Sequence, residues 1–464
     1  SLHQHDSFES TENIDVGDIC MNENKKDATK GALIVLFLVT MIDLIGFGIV
    51  IPFLTYLVED LAAEQGIVEV GLWVGILMTS YSAAQFLFSP IWGSISDRIG
   101  RRPVLMIGLV GNTVFFTMFG LANTLFIALV ARFLAGVFNG NIAVARAYIG
   151  DVSTPKQLAT RMGLIGAAFG LGFTIGPFIG GELSNPASKW SYFESTIFET
   201  YPYLLPCLAA SVLSLLSLFV AYRNLPESLA ENLRTKKSDA NLKVRFKKSI
   251  ADISATLTNG SIAVIIWMTM LFVFGFTIMH AVFILYTGMD IESGGLSFSE
   301  AQNGRIFAVI GIAGILTQGF LIGPLSRKFG SRNLLPISCL ITGLGLTLIP
   351  YTEYEYAFLQ LGFVSLLIAV GNGLFQPSSS SILTSIAKEK KMELGVVMGA
   401  QESVSSFSRI LGPLTGGFVW VLTVDGKSPF DYHTAFLLCG VLMVLAAGLS
   451  LKIPKGQDNL YSDE

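Results

Sequence analysis

The chain has 464 residues, of which 52% are hydrophobic and 14% are charged, with 34 phenylalanines. This composition excludes an ordinary soluble domain, because so many apolar side chains must face lipid instead of filling a core. The formal net charge of −4 gives no reason to expect a nucleic-acid partner. The sequence therefore predicts an all-α protein embedded in a lipid bilayer.

Apolar segments of about 20 residues, enough for a helix to cross a hydrocarbon layer of roughly 30 Å, recur along the chain. They follow a polar, acidic stretch at residues 1–30, which is predicted to be a cytoplasmic tail and not a cleaved signal. The twelve predicted spans are 31–58, 71–92, 103–122, 124–149, 160–182, 202–222, 259–287, 301–325, 333–351, 356–386, 394–422 and 434–453.

Basic residues are distributed unequally between the two ends of these spans. One side holds nearly all of them, in groups that begin at Lys25, Arg98, Lys156, Arg223, Arg327, Lys388 and Lys452. The other side receives Lys189 and Lys427, with Arg305 just inside the eighth span. Because Lys and Arg in short loops remain on the cytoplasmic side, both termini are predicted to be cytoplasmic.

A polar stretch divides the twelve spans into six and six. The predicted organisation is a half at 31–222, a cytoplasmic central loop at 223–258, a half at 259–453 and a cytoplasmic tail at 454–464. Two motifs recur in the same order about one half-chain apart. This repetition predicts two six-helix halves related by a pseudo-two-fold axis along the membrane normal, with a substrate cavity between them.

The first recurring motif is a charged hinge between the second and third spans, at Gly93–Arg102, with a weaker copy at Gly323–Arg332. The copy lacks the acid, for which Ser326 is the nearest polar residue, so the two hinges are expected to differ. The charged residues and glycines of the first hinge are Gly93, Asp97, Arg98, Gly100, Arg101 and Arg102.

The second recurring motif places small residues and a proline inside a span. Glycines four apart let helices approach closely, and a proline removes one backbone hydrogen bond and bends its helix. The candidate seam residues are Gly172, Gly176, Pro177, Gly180 and Gly181, with Gly412 and Pro413 in the copy. The copy begins with Ser408 and includes the bulky Arg409, so it is expected to pack more loosely.

Asp43 lies about twelve residues into the first span, with apolar neighbours in both directions. A charged side chain at this depth costs about 2.5–3.5 kcal/mol on insertion scales. Asp43 is therefore expected to line a wet cavity and to bind a proton. A structural role as a hydrogen-bonding acid is the alternative.

The fourth span carries a face formed, at the spacing i, i+4, i+7, i+11 and i+14, by Arg132, Gly136, Asn139, Ala143 and Arg146. That face is predicted to point inward, because an unpaired guanidinium in mid-membrane would be unstable. Arg132 is interpreted as the positive counterpart of the acid on the first span. A purely structural ion pair is the alternative.

The second half offers two further candidates. Glu402, Ser405 and Arg409 share one face of the eleventh span and form either a functional group or a pair that stabilises the bundle. His280 follows Asp43 by nearly the interval that separates the two seam motifs. A titratable pair facing across the cavity would suit proton coupling, while a structural histidine is the alternative.

These motifs closely resemble those of the major facilitator superfamily, and within it the drug:proton antiporters that include the tetracycline-efflux proteins. The resemblance covers all twelve spans. Besides the hinge and the seam, it rests on Arg132 and Gly136 in the fourth span, on the acid-bearing first span around Asp43, and on Tyr148-Ile-Gly-Asp151.

The resemblance implies specific contacts for the first hinge. Arg101 is expected to contact Asp151, and Asp97 to contact the N-terminus of the eleventh span near Glu393–Gly399, which would lock the outward-facing state. A carboxylate is favoured at a helix N-terminus, in agreement with this contact.

Two departures from the tetracycline-efflux pattern indicate a different substrate. Gly314 stands where those proteins carry a histidine in the eighth span. Their acid in the ninth span has no equivalent near Cys339–Gly345.

These features together predict a secondary active transporter that exchanges a small, amphipathic organic solute for protons by alternating access, as a monomer and without cofactor or metal. An enzyme is not expected, because the sequence has no nucleophile–base set, metal-ligand spacing or nucleotide loop. Two alternatives stay open: a proton-coupled symporter or facilitator for a polar or anionic metabolite, and a non-transporting membrane receptor or scaffold.

Overall fold

The computed structural model describes residues 16–139, 141–153, 155–229, 256–258, 260–392, 394–425 and 429–454. Within these ranges the chain forms helices and no β-strand, as the composition predicts. Most of the predicted central loop and parts of both predicted tails lie outside the described residues. The first helix begins at Val16, inside the segment predicted to be a tail.

The described part of the first half contains eight helices of twelve residues or more. They are α1 Val16–Val50, α2 Leu54–Gln65, α3 Val70–Ile99, α4 Arg101–Gly120, α5 Leu125–Phe138, α6 Asn141–Val152, α7 Pro155–Leu183 and α8 Leu204–Asn224. The first predicted span is not one continuous helix. The first span breaks at Pro52, which disfavours helical geometry in the residue before it. In the fourth span, α5 and α6 are separated by residues 139 and 140, the second of which lies outside the described residues.

The second half follows the same plan. Its described helices are α9 Gly260–Gly288, α10 Glu300–Leu316, α11 Ile322–Phe329, α12 Ser331–Leu348, α13 Ala357–Glu389, α14 Leu394–Trp420 and α15 His433–Ser450. A capping box starts α10, because the Ser299 hydroxyl accepts from the Gln302 N–H while the Gln302 side chain accepts from the Ser299 N–H. A five-residue π-helical turn, Thr317–Leu321, joins α10 to α11.

Eleven helical segments among the described residues are long and apolar enough to cross a bilayer. Each overlaps one predicted span. The remaining prediction, 160–182, falls within α7, which is 29 residues long and contains Pro177. The side chains at several positions in the first part of α7 lie outside the described residues.

Both charged hinges form tight turns at the same end of the bundle, which we call the hinge face. The opposite end is called the far face. Gly100, between α3 and α4, has a φ of 106°, and Gly330, between α11 and α12, has a φ of 75°. Side chains with a Cβ rarely adopt such backbone angles, so each hinge turn requires its glycine.

The first seam packs α7 against α1. A Cβ added at Gly176 would lie 2.6 Å from the Ile45 carbonyl oxygen, and one added at Gly180 would overlap Ile49. The backbones of the two helices therefore touch directly, as the spacing of small residues predicts.

The second seam packs α14 against α9 just as closely. A Cβ added at Gly412 would overlap the Thr277 side chain, and one at Gly416 would lie 2.9 Å from the Ile278 carbonyl oxygen. The expectation of looser packing in this copy was wrong. Ser408 does not widen the contact, because its hydroxyl donates to the Met270 carbonyl oxygen of α9 at 3.2 Å.

We predict that Gly412→Leu and Gly176→Leu destabilise the protein to a similar degree. Overpacking a close helix crossing costs about 1–3 kcal/mol, and both glycines contact backbone or a buried side chain. The matched control is Gly399→Leu on α14, because no atom of the described residues lies within 4 Å of the position of its added Cβ. Thermal unfolding of the three purified variants tests this. A Gly412→Leu variant as stable as Gly399→Leu would contradict the close second seam.

Candidate functional site

A cavity of about 260 Å³ lies between the two halves. Its wall is partly aromatic, with Phe47, Tyr81, Phe86 and Phe173, all from the first half. Its polar and charged lining residues include Ser82, Gln85, Asn139, Arg146, Glu402 and Arg409. The cavity thus offers both apolar surface and charge, which is what an amphipathic organic molecule requires.

The halves close the far face through direct backbone contact. In α3, a Cβ added at Gly75 would lie 2.6 Å from the Pro413 carbonyl oxygen of α14. In α10, a Cβ added at Gly304 would lie 2.6 Å from the Pro177 carbonyl oxygen of α7. The prolines of both seam motifs therefore contribute to contacts between the halves, in addition to the packing within each half.

Toward the hinge face the same helices diverge. Thr79 of α3 donates a hydrogen bond to the Ile410 carbonyl oxygen of α14 at 2.7 Å. Farther along these helices, no atom of the described residues lies within 4 Å of a Cβ added at Gly93 or at Gly399. The cavity is closed toward the far face by the backbone contacts between the halves, and it opens toward the hinge face, where its lining residues Phe86 and Pro90 are exposed.

The charged side chains of the second half form an ion group in this cavity. Arg409 Nη2 donates to Glu402 Oε1 at 2.7 Å and to the Ser406 hydroxyl at 2.8 Å. Arg146 Nη2 lies 3.6 Å from Glu402 Oε2, and Arg146 belongs to the first half. The structure thus brings together Arg146, Glu402 and Arg409, while Ser405 is buried beside them.

Asp43 is buried behind the cavity wall, with 1% of its surface exposed. The Asn112 side-chain amide donates to its Oδ1 at 3.1 Å. The neighbouring α1 residues Leu44 and Phe47 line the cavity, whereas Asp43 is not among the described lining residues. The expectation that Asp43 itself lines the cavity was therefore wrong in this conformation, because its side chain points toward α4.

Arg132 is also buried behind the wall, with 3% of its surface exposed. Its guanidinium carbon lies 4.6 Å from the centre of the Tyr81 ring and 5.8 Å from that of Phe47. Its Nε and Nη1 atoms have no hydrogen-bond partner among the described residues. The electron-rich faces of these rings stabilise the cation in place of water.

The remaining members of the predicted face of the fourth span reach the cavity. Asn139, Ala143 and Arg146 line it, and Gly136 packs against the backbone of Tyr81. The Asn139 amide donates to the Tyr81 hydroxyl, which links the cavity wall to the buried Arg132.

His280 of α9 packs among aromatic rings. Its ring centre lies 4.9 Å from that of Phe276 and 6.5 Å from that of Phe173, which lines the cavity. Within the described part of the chain it makes no hydrogen bond or ion pair. The expected pairing with Asp43 stays a prediction.

The first hinge contains the ion pair between Arg101 and Asp151 that the resemblance implies, and a second pair, between Arg101 and Asp97, that was not predicted. Arg101 lies 2.7 Å from Asp97 Oδ1 and 3.0 Å from Asp151 Oδ2, and also donates to the Ser96 hydroxyl at 2.6 Å. The predicted contact between Arg101 and Asp151 is confirmed. Residue 393 lies outside the described residues, so the contact of Asp97 with the start of the eleventh span stays a prediction.

Sequence reasoning missed Glu227, which follows the end of α8. Its carboxylate accepts from the backbone N–H groups of Arg101 at 2.8 Å and of Arg102 at 3.2 Å. It thus caps the N-terminus of α4, where a negative charge is favoured. The position of Glu227 directly after Pro226, at a predicted helix end, was the sequence feature that could have indicated a capping role. The sequence spacing does not indicate which helix it caps.

Side-chain contacts between the halves also hold the far face closed. The Tyr56 hydroxyl of α2 donates to the Phe298 carbonyl oxygen at 2.5 Å and accepts from the Asn303 amide at 2.8 Å. On the same face, Arg305 of α10 pairs with Glu182 of α7 at 2.6 Å. Sequence reasoning placed Arg305 on this side but predicted none of these contacts.

Glu59 lies beside this contact region. Its pKa is raised to about 7, mainly by burial and in addition by the negative charges of Asp60, Asp290 and Glu300. Asp290 and Glu300 belong to the opposite half. Ionisation of Glu59 therefore creates repulsion between the halves where they meet.

The architecture and the cavity together define a class of membrane protein. Two repeated helical halves enclose a part-aromatic, part-charged cavity that opens on one face of a membrane-spanning bundle. This is the arrangement of a membrane transporter for small molecules.

The chain belongs to the Major Facilitator Superfamily, whose family model matches residues 36–413 and 293–459. It is accordingly a multi-pass membrane transporter and not an enzyme. Tetracycline resistance protein, class H, of Pasteurella multocida is 25% identical over 420 residues, covering 89% of this chain and 95% of that protein. Multidrug resistance protein 1 of Bacillus subtilis is 28% identical over 423 residues, covering 91% and 97%.

Among solved structures, a D-xylose-proton symporter superimposes with a TM-score of 0.68 at 17% sequence identity. The match covers 92% of this chain and 98% of that one. At this identity the comparison establishes the shared fold.

We predict that Glu227→Ala lowers the stability of the protein by about 0.5–2 kcal/mol, the usual effect of removing a helix cap. The variant leaves two N–H groups of α4 without their carboxylate. The matched control is Glu292→Ala, which removes an exposed acid on the far face. Thermal unfolding of both variants provides the measurement, and equal melting temperatures would argue against the capping role.

We also predict that the far face opens more readily as pH rises through about 7. The raised pKa of Glu59 means that the closed face binds a proton more tightly than an open, solvated one, where the value is near 4.3. Stabilisation of the closed face is thus full at low pH and is lost as Glu59 ionises.

Labelling of a cysteine placed at Ala301, in a background without native cysteines, measures this opening between pH 5.5 and 8.5. Glu59→Gln should remove the pH dependence, and the nearby Glu64→Gln should retain it. Equal pH profiles for the two variants would exclude Glu59 as the titrating group.

Proposed function

We propose that this protein is a secondary active transporter that moves a small, amphipathic organic solute across the membrane by alternating access, in exchange for protons. The observation that carries the proposal is the part-aromatic cavity between the halves, open at the hinge face and closed at the far face. Solute would enter at one face and leave at the other after the halves rock about the cavity.

The direction of exchange draws on the relatives. The two proteins compared above are named for resistance to tetracycline and to multiple drugs, which is consistent with export. The positions that depart from the tetracycline-efflux pattern favour a different solute. In this proposal the protein acts as a monomer.

Orientation follows from the basic residues. The hinge face carries Arg98, Arg101 and Arg102 at one hinge and Arg327 at the other. Because positive charge marks the cytoplasmic side, we assign the hinge face and both termini to the cytoplasm. The structure is then an inward-open state, ready to take up a solute for export.

Asp43 is the proposed proton site and Arg132 its coupling partner. The Tyr81 side chain lies close enough to both to interact with both charges, and Tyr81 also lines the cavity. A solute that displaces the Tyr81 ring would therefore change the environment of Asp43 and Arg132 together. This linkage gives a physical route from solute binding to proton release.

The hinge network is the proposed cytoplasmic latch. Here Arg101 joins Asp97 and Asp151 within the first half. In the outward-facing state Asp97 would instead contact the second half. Exchange of Asp97 between these partners would link closure of the cytoplasmic face to opening of the far face.

We predict that Asp43→Asn abolishes proton-driven transport while leaving membrane insertion and solute binding intact. The substitution retains the size of the side chain and removes its titration. Flux of a panel of organic solutes into proteoliposomes, with and without a pH gradient, is the measurement. Asp431→Asn, which alters an exposed acid, is the matched control.

Unchanged concentrative transport by a well-expressed Asp43→Asn variant would remove Asp43 from the mechanism. The direction of the proton gradient distinguishes the two coupling modes. Solute accumulation in the proteoliposomes while protons flow out supports antiport, and accumulation while protons flow in supports symport. No solute flux under any gradient would favour a receptor or scaffold.

A further inference from the structure

The charged side chains that line the cavity do not balance. Arg146 and Arg409 are positive and Glu402 is the single described acid among the lining residues. Asp43 and Arg132, both behind the wall, offset each other. The cavity surface therefore carries an excess of one positive charge.

Glu402 divides its contacts unequally between the two arginines. Its Oε1 accepts from Arg409 at 2.7 Å, the length of a strong charge-assisted hydrogen bond. Its Oε2 lies 3.6 Å from Arg146, beyond hydrogen-bond length. Arg409 also donates to Ser406, so Arg146 is the less engaged of the two cations.

Arg146 is also accessible from the cavity. Its side chain is 37% exposed, and its guanidinium carries five N–H donors in a planar fork that matches the two oxygens of a carboxylate. A bound anion would contact this fork without breaking the pair between Glu402 and Arg409.

Aromatic rings complete the site. The ring of Phe47 lies 5.0 Å from that of Tyr81 and 5.5 Å from that of Phe173, measured between centres. All three residues line the cavity that Arg146 also lines. Apolar surface and an available cation are thus presented to one ligand.

We propose that the transported solute is an organic anion, with a carboxylate or sulfonate held by Arg146 and an apolar body packed against Phe47 and Phe173. The inference rests on the proposed function, because it assigns the substrate class of the same cavity. A cationic solute would have to separate Glu402 from Arg409, and both arginines would repel it.

Two probes of equal ring structure and opposite charge test the inference. They are 7-methoxycoumarin-4-acetate, an anion, and 4-aminomethyl-7-methoxycoumarin, a cation. Binding to the purified full chain in phosphatidylcholine nanodiscs is measured by fluorescence titration, with empty nanodiscs subtracted. We expect saturable binding of the anion and at least tenfold weaker binding of the cation.

Substitutions test whether Arg146 is the residue that binds the anion. Arg146→Gln should weaken anion binding at least tenfold, and Arg146→Lys should weaken it less, because a point charge without the planar fork remains. Arg327→Gln, which removes one positive charge from the hinge face, is the matched control and should leave binding unchanged. Glu402→Gln should strengthen anion binding, since it frees Arg409 as well, and this gain does not arise from misfolding.

Preference for the cation, absence of saturable anion binding, or unchanged binding by Arg146→Gln would each overturn the inference. The proposed function is tested separately. Proton-driven flux of a cationic or neutral solute by the unaltered protein would retain the transporter proposal and remove only the anionic substrate class.

Discussion

Direct backbone contact between the halves at the far face determines the rest of the structure. Glycines at positions 75 and 304 allow carbonyl oxygens of the opposite half to approach where a side chain would stand. Because the helices are rigid rods, contact at one end and divergence toward the other create a cavity that opens on one side only. The solute site is thus a consequence of helix packing at the opposite face.

Buried charge imposes a second constraint, since a guanidinium within the membrane requires stabilisation from the protein. Arg132 receives it from aromatic faces, and Asp43 accepts a hydrogen bond from Asn112. The three charged side chains in the cavity, Glu402, Arg146 and Arg409, differ from this buried pair because they are partly exposed. The protein therefore keeps one pair of charges behind its wall and presents another set to the solute.

Helix positions, the repeat and the hinge turns could be predicted from the sequence, because hydrophobic length, spacing and glycine act locally. The pairing of Arg409 with Glu402 follows likewise from their seven-residue interval on one helix. The cap from Glu227 and the hydrogen bond that the Asn303 amide donates to Tyr56 could not be predicted, since each joins distant segments whose approach depends on the whole bundle. The close packing of the second seam depends on the position of the Thr277 side chain on α9, which the sequence motif does not indicate.

The two faces are held by different kinds of contact, and this asymmetry bears on the proposed cycle. The described ion pairs of the first hinge join segments of one half, whereas Tyr56, Arg305 and the close contacts at Gly75 and Gly304 join the two halves at the far face. Opening the far face must therefore break these contacts between the halves. The contacts within the second hinge are weaker than those within the first. The Ser326 and Ser331 hydroxyls share a hydrogen bond there, whereas the first hinge is held by ion pairs. In the proposed cycle the two states must lie within a few kcal/mol of each other, and the solute and the proton would supply the difference by binding one state more tightly than the other.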